Sequence, residues 1–367
     1  MKQIIFNGFY GYKNTGDDAF LEIAAWGNRF YWNNYSPAYF TGENLPTLQT
    51  PIQKVYRLGT SNKIFQKASV FEKSLKCDYF INAGGSVLSK ISPLGNIAVA
   101  NKANLFNQKL QHGAIGVSIG PFTSSKDEKG VIEYLKKLKF LALRDTQSYQ
   151  YAKSLSLDYN PINAFDLAAL LPMCYQDIDS PIHTTSSKTI GVSVCNYERY
   201  YKGDVINEKR RNDFVKDTLA LLSKNKNLKF KFLVFNGNEQ IGDYKLTSEI
   251  ASKLPKEQYE IIPYMHNTIQ VWQEIKSCDF IFSTRLHASV FACYANVPFM
   301  LIEYHRKCSD FLEDIGYNSK FRVFDGERVP QEVVNDIEYF LNEKFPKPSN
   351  IQETIERAKL NFTSIRL

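Results

Sequence analysis

Cys278-Asp279-Phe280-Ile281-Phe282-Ser283-Thr284-Arg285-Leu286-His287-Ala288-Ser289 passes from a buried-strand pattern directly into a helical one that continues to Ala295. The apolar run over 280–282 is short, as in a strand covered on both faces. A strand that ends where a helix begins leaves backbone N–H groups unpaired and a positive dipole end facing outward. Arg285 adds a planar fork of donors suited to a carboxylate or phosphate, and His287 adds a group that titrates near neutrality. An anion site and a proton carrier are therefore expected within three residues of each other.

Outward from this junction, strand and helix patterns alternate to both ends of the chain, which is the pattern of α/β layers on mostly parallel sheets. Strands are expected near 2–7, 37–41, 52–57, 77–82, 113–119 and 139–143, with helices near 17–30, 62–75, 97–111, 127–138 and 145–156. Over 172–188 the periodicity lapses into prolines and small polar residues, which read as a linker. A second series starts at 189–194, with strands near 228–235, 259–262, 279–283, 298–302 and 321–324. Its helices are expected near 208–223, 240–253, 268–276, 286–295, 308–315 and 331–343, and a last amphipathic helix covers 350–362.

The expected organisation is an N-terminal α/β domain over 1–175, a linker over 176–188 and a second α/β domain over 189–348. A C-terminal helix within 349–367 would pack back toward the first domain. Two doubly wound, Rossmann-like domains facing a central cleft form the arrangement known as GT-B. Ligands then bind at the carboxyl ends of the strands.

A chain of 367 residues with 44% hydrophobic and 23% charged residues has the composition of a globular protein with two cores. No run approaches the roughly 18 apolar residues of a membrane-spanning helix, and 1–8 reads as a first strand rather than a signal peptide. A cytoplasmic location is expected. The net charge of +7, carried mainly by dispersed lysines, favours anionic small molecules or an anionic lipid surface. No basic run is interleaved with aromatics, so nucleic acid is not an expected partner. The six cysteines form no CxxC pair and the histidines lack metal-ligand spacing, so buried free thiols and no metal are expected. The 22 Tyr and 26 Phe supply cores and sugar-stacking surfaces alike.

The loops that follow strands carry the chemistry. Gly8-Phe9-Tyr10-Gly11-Tyr12-Lys13-Asn14-Thr15-Gly16-Asp17-Asp18 is glycine-rich but has no GxGxxG spacing, so it predicts no dinucleotide site. Thr15 and Asp18 have the spacing of a capping box, which leaves Asp17 as the carboxylate available to a sugar hydroxyl. Asn82-Ala83-Gly84-Gly85-Ser86 offers backbone amides to an anion or hydroxyl. Arg144-Asp145 reads as a local ion pair and helix cap. In the second half, Ser193-Val194-Cys195-Asn196 and Glu303-Tyr304-His305-Arg306-Lys307 end strands. If successive strands are neighbours, Arg285, His287, His305, Arg306 and Lys307 line one positively charged mouth.

These loops resemble those of the polysaccharide pyruvyl transferase family over about 1–320. Asn14-Thr15-Gly16-Asp17 is similar to its Asn-x-Gly-Asp loop, and Gly84-Gly85-Ser86 to its Gly-Gly-Ser turn. Gly116-Val117-Ser118-Ile119-Gly120-Pro121 and Arg144-Asp145-x-x-Ser148 match two further stretches. Arg285-Leu286-His287-Ala288, with Tyr304 and Lys307 ahead of Phe311-Leu312-x-x-Ile315-Gly316, carries the resemblance furthest. The chain departs from the family in having Cys195 where an Arg is common, with Arg199 nearby, and His305 where Asp is common.

The resemblance implies transfer of a pyruvyl group from phosphoenolpyruvate to two hydroxyls of one sugar, giving a cyclic ketal and phosphate. It implies donor binding by Arg285, His287, Ser193, Tyr304 and Lys307, with Arg285 also catalytic. It implies acceptor binding by Asn14, Asp17, Gly84, Gly85 and Ser86. His287 is the expected proton donor and Asp17 the expected base; the scheme calls for no metal or other cofactor. The expected acceptor is a polyprenyl-diphosphate-linked saccharide of a capsule, exopolysaccharide or wall polymer, and the enzyme is expected to reach it as a peripheral protein at the inner leaflet. Both 4,6 and 3,4 hydroxyl pairs fit. The rival reading, a GT-B glycosyltransferase using a nucleotide sugar, needs an acidic partner for the ribose, for which Glu303 is the candidate.

Overall fold

The computed structural model describes residues 1–56, 62–176, 178, 187–201, 203–343 and 345–367, so the expected linker lies mostly outside the described residues. Contacts divide these into two compact units. One comprises Met1–Tyr12, Gly16–Cys174 and Gln352–Leu367, and the other Lys13–Thr15 and Tyr175–Ile351.

The sheet of the first unit contains β1 (Ile4–Asn7), β2 (Tyr39–Phe40), β3 (Gln53–Lys54), β4 (Tyr79–Leu88), β5 (Gln111–Ile119), β6 (Leu138–Leu143) and β7 (Ile162–Asn163). They pair in parallel in the order β3-β2-β1-β4-β5-β6-β7. Helices α1 (Thr15–Phe30), α2 (Lys63–Ser74), α3 (Asn96–Ala103), α4 (Ser125–Leu135), α5 (Thr146–Ser154) and the single turn α6 (Leu171–Cys174) alternate with the strands.

The second unit repeats the scheme with β8 (Lys188–Ser193), β9 (Leu228–Leu233), β10 (Tyr259–Ile262), β11 (Phe280–Ser283), β12 (Phe299–Glu303) and β13 (Val323–Phe324). Their order is β10-β9-β8-β11-β12-β13, again parallel. Its helices are α7 (Glu198–Tyr201), α8 (Val205–Leu222), α9 (Tyr244–Ala251), α10 (Thr268–Lys276), α11 (Leu286–Tyr294), α12 (Arg306–Asp314) and α13 (Pro330–Asn342). Both sheets reverse their order beside the first strand, so the loops after β1 and β4, and after β8 and β11, flank switch points where such sheets hold ligands.

The expected α/β alternation is present in both units. Three differences bear on the site. Strand β4 does not end at Asn82 but continues to Leu88, because Gly84 and Gly85 adopt φ of 75° and 76° and let the strand bulge without leaving the sheet. The helix expected from 240 starts at Tyr244, with Asp243 as its N-cap. Strand β7 spans two residues, too short to show periodicity in the sequence.

The C-terminal helix α14 (Ile351–Thr363) packs on the first unit, as expected. Phe362 stacks on Tyr31 at 5.4 Å, and Trp32 Nε1 donates to the Phe362 carbonyl at 3.0 Å. Buried Asn361 accepts from Gly116 N–H (2.6 Å) and donates to the Phe165 carbonyl (2.8 Å). All six cysteines are free and buried. Among the described residues, no helix is long and apolar enough to cross a membrane.

Candidate active site

In the second unit, β11 ends at Ser283 and α11 begins at Leu286, with Arg285 as an N-cap whose side chain makes no capping bond. The guanidinium instead turns to Asp243: Nε donates to Oδ2 at 2.7 Å and Nη2 to Oδ1 at 2.5 Å. Asp243 is 1% exposed and also accepts from Asn236 N–H at 3.0 Å. Burial pushes the Asp243 carboxyl up, and Arg285 opposes it; with three hydrogen bonds received, the carboxylate is the form the site is built for. Burial would lower Arg285, but the Asp243 charge outweighs it and holds the guanidinium above its ordinary range. The fork is thus half committed to the protein, and Nη1 is the nitrogen that no bond to Asp243 uses.

His287 lies half-buried on the first turn of α11, two residues from Arg285. Strand β12 neighbours β11, so the two loops are side by side as expected. Lys307 Nζ lies 5.2 Å from the Tyr197 ring centroid and 5.4 Å from that of Tyr304. Tyr304 also has the Arg211 guanidinium 5.7 Å away. Arg211 is itself buried and paired with Glu198 and Asp325. Burial pushes the Cys195 thiol up while Arg285 and Lys307 draw it back, which puts both cations around the end of β8.

The positively charged mouth is thinner than the sequence suggests. Arg306 is exposed and pairs with Asp310 at 3.5 Å. His305 is the N-cap of α12, its Nδ1 accepting from Lys307 N–H at 3.2 Å. Burial, with Lys307 and Arg306 adding to it, lowers His305 to about 4, so it is neutral at pH 7. The folded value lies below the ordinary 6.5, so the folded state resists protonation; its stability is full above 6.5 and is lost as pH falls toward 4. His305→Asn keeps a capping oxygen and removes the titration. Its unfolding free energy is expected to drop less than that of the unchanged chain when urea titrations at neutral pH are repeated in this acidic window.

Ser193 is corrected. Its hydroxyl is buried and donates to the Leu233 carbonyl at 2.9 Å, so it serves the fold and is not presented to a donor. Arg199, the candidate replacement for the family's arginine, gives Nε to Glu208 at 2.5 Å. Asn14 belongs with this unit rather than with the other loops expected to take the acceptor: it bridges Asn236, while Thr15 N–H donates to the Phe235 carbonyl at 2.9 Å. The Thr15–Asp18 capping box is not formed. Thr15 is already helical, and its buried hydroxyl has no hydrogen-bond partner among the described residues.

In the first unit the expected acceptor residues Asp17, Gly84, Gly85 and Ser86 do come together. A Cβ on Gly85 would only make ordinary contact with Asp17 Oδ1 (3.5 Å) and the Phe9 ring (4.0 Å); its φ of 76° is what favours glycine at this position. Beneath it, Tyr10 donates its hydroxyl to the Ala83 carbonyl at 2.6 Å, and burial and then Asp17 raise its pKa. The expected Arg144–Asp145 ion pair is absent. Asp145 caps α5, whereas Arg144 reaches Ser118 Oγ (2.6 Å), Ser86 Oγ (3.2 Å) and Asp166 Oδ2 (3.2 Å). Arg144 therefore lies among the loops expected to take the acceptor, ion-paired with Asp166, where the sequence suggested only a local role.

The family model described as polysaccharide pyruvyl transferase matches residues 10–306, a span holding every candidate above except Lys307. The chain belongs to the polysaccharide pyruvyl transferase family. No curated protein matches it in sequence. Among solved structures, UDP-GlcNAc 2-epimerase from Methanocaldococcus jannaschii is similar, with TM-score 0.64 at 10% identity and 98% of each chain covered. The putative UDP-N-acetylglucosamine 2-epimerase of Listeria monocytogenes gives 0.60 at 9% identity, covering 99% of this chain and 93% of that one. Such low identities establish a shared GT-B-like fold for this pyruvyl transferase and nothing of its substrate. Asp243 and Asn236 are the site residues that sequence reasoning missed; their signal was an acid in an Asn- and Gly-rich loop after a strand.

Proposed function

We propose that this pyruvyl transferase uses phosphoenolpyruvate to form a cyclic pyruvate ketal on one sugar of a lipid-linked polysaccharide precursor, releasing phosphate. The observation that carries this is the Asp243-fixed guanidinium of Arg285, with His287 two residues on and Lys307 on the adjacent loop. Phosphoenolpyruvate presents a carboxylate and a phosphate close together, and two fixed cations plus a helix start suit that pair.

His287 gives a proton to the methylene carbon, which becomes the methyl group and leaves a cation at C2. A sugar hydroxyl attacks C2 and its proton passes to a base, the role assigned here to Asp17. Phosphate then departs with the C2–O bonding pair, the second hydroxyl attacks C2, and the ring closes with loss of a second proton. In all, the sugar exchanges two hydroxyl protons for one carboxyethylidene bridge. In the first unit, Gly84, Gly85 and Ser86 with Asp17 hold the acceptor, and Phe9 and Tyr12, 48% and 62% exposed, offer faces for sugar stacking. A lipid-linked acceptor calls for a peripheral enzyme at the cytoplasmic membrane face.

Incubation with phosphoenolpyruvate and a panel of aryl or lipid-linked galactosides, mannosides and N-acetylhexosaminides tests this. The expected result is phosphate release with a product whose mass has grown by that exchange, carrying one deuterium in the methyl group when run in heavy water. No product, and no rise in melting temperature with phosphoenolpyruvate, overturns it. The nucleotide-sugar reading loses its acidic residue: Glu303 is buried against Arg322 (2.9 Å at Nε) and Ser309 (2.6 Å).

A further inference from the structure

Helix α2 and the turn that follows α3 carry a face that neither the reaction nor the core accounts for. Ile64, Phe65, Leu105 and Phe106 are 73%, 59%, 76% and 76% exposed. The Phe106 ring meets Phe71 of α2 edge-on at 6.0 Å, and Ile64 lies seven residues before Phe71, on the same helix face. Single exposed apolar residues are ordinary, but a cluster of large ones is not. The cluster is set among like charges. Over 62–77, 101–112 and 136–139 the chain has nine lysines and one acid, Glu72, which pairs with Lys76 at 3.3 Å.

Beside the cluster lies a cleft of about 520 Å³, whose lining includes Asn101, Asn104, Leu105, His112, Lys137 and Lys139. Leu105 belongs to both. The cleft opens where β5 and β6 begin, at Gln111 and Leu138, the opposite sheet end from the Ser86 and Arg144 loops. His112, 3% exposed, sits in its wall. The Tyr134 hydroxyl accepts from Asn82 Nδ2 (2.7 Å), so its own proton goes to His112 Nδ1, 3.4 Å away. The ring proton is then on Nε2, which is buried without a hydrogen-bond partner among the described residues. A donor buried in the wall of a cleft that Lys137 and Lys139 also line suits an anionic oxygen.

We propose that the α2–α3 face docks on an anionic phospholipid bilayer, with Leu105, Phe106 and Ile64 entering the interface and the His112 cleft taking a lipid phosphate. Lysine-rich surroundings fit lipid headgroups, whereas protein interface cores are depleted in lysine. This gives the peripheral placement proposed above a surface, and rests on that reading for its purpose only, since binding is measured with no substrate present.

The full chain is mixed at low salt with phosphatidylglycerol-containing vesicles and, separately, with pure phosphatidylcholine vesicles, and pelleted. Preferential pelleting with the anionic vesicles is expected, falling at least about tenfold at high salt. Leu105→Asp/Phe106→Asp and Lys137→Glu/Lys139→Glu are each expected to lower it about tenfold, with unchanged melting and unchanged turnover of a water-soluble acceptor. Phe106→Trp is expected to shift its emission to the blue on vesicles. No anionic preference, or full binding by either double variant, overturns the proposal. So does a change of oligomeric state in place of lost pelleting, which would make the face a self-association surface. Full competition by inorganic phosphate at the lipid-phosphate concentration would make the cleft a free-anion site and overturn it also.

Discussion

Arg285→Lys is expected to lower kcat/KM for pyruvyl transfer by about 10²–10³-fold, the scale of removing a fixed donor from a developing charge. The reason lies in the fork. Nε and Nη2 of Arg285 are spent on Asp243, which leaves Nη1 aimed by a rigid plane. A lysine can neutralise Asp243, but as a single point it cannot also hold a second group at a set angle. Charge balance survives in this variant, so the fold is expected to melt as before. Arg285→Ala is the poorer test, since an uncompensated carboxylate at Asp243, 1% exposed, costs about 3–5 kcal/mol. Asp243→Asn completes the set: the cation remains but loses its anchor, and KM for phosphoenolpyruvate is expected to rise. Steady-state kinetics read beside thermal melts decide the matter. Normal kcat/KM in Arg285→Lys would remove Arg285 from the donor site.

How far the sequence reached follows from the range of each interaction. Strands and helices were legible because their periods are written within a few residues, and the junction at 283–287 because both elements and both side chains are contiguous. Asp243 was not, since its partner is 42 residues away and its own loop has no period. The same holds for Arg144, whose ion pair is with Asp166, 22 residues on, and not with the adjacent Asp145. Ser193 and His305 failed for another reason. Position at a strand end is visible in sequence, but which way a hydroxyl points and whether an imidazole is dry are properties of packing. Asn14 shows the limit for loops: its motif was readable, yet the bridge to Asn236 places it with the other unit.

His287→Gln is expected to lower kcat by about 10²–10⁴-fold, the range for a positioned general acid, with KM for phosphoenolpyruvate little changed. Glutamine keeps the length and a donor N–H, so binding persists, but it cannot release a proton to carbon. In the proposed reaction, carbon protonation creates the electrophile, and without it neither hydroxyl has anything to attack. The unchanged enzyme should lose kcat as pH rises through the pKa of the donating acid, and the variant should lack that limb. A solvent isotope effect sharpens the test, because transfer to carbon is slow when it limits the rate. In the His287→Gln enzyme the residual rate draws its proton from water and should depend on buffer acid concentration. If the substitution raised KM and left kcat untouched, His287 would be a binding group, and the proton would have to come from another acid of the same loops. Tyr304 is poorly suited to that task, since burial pushes its hydroxyl well above its ordinary pKa. His305 is equally unsuited, because at about 4 it holds no spare proton at neutral pH. Of the two histidines on the Arg285 and Lys307 loops, His287 is therefore the one whose chemistry fits the proposed proton transfer.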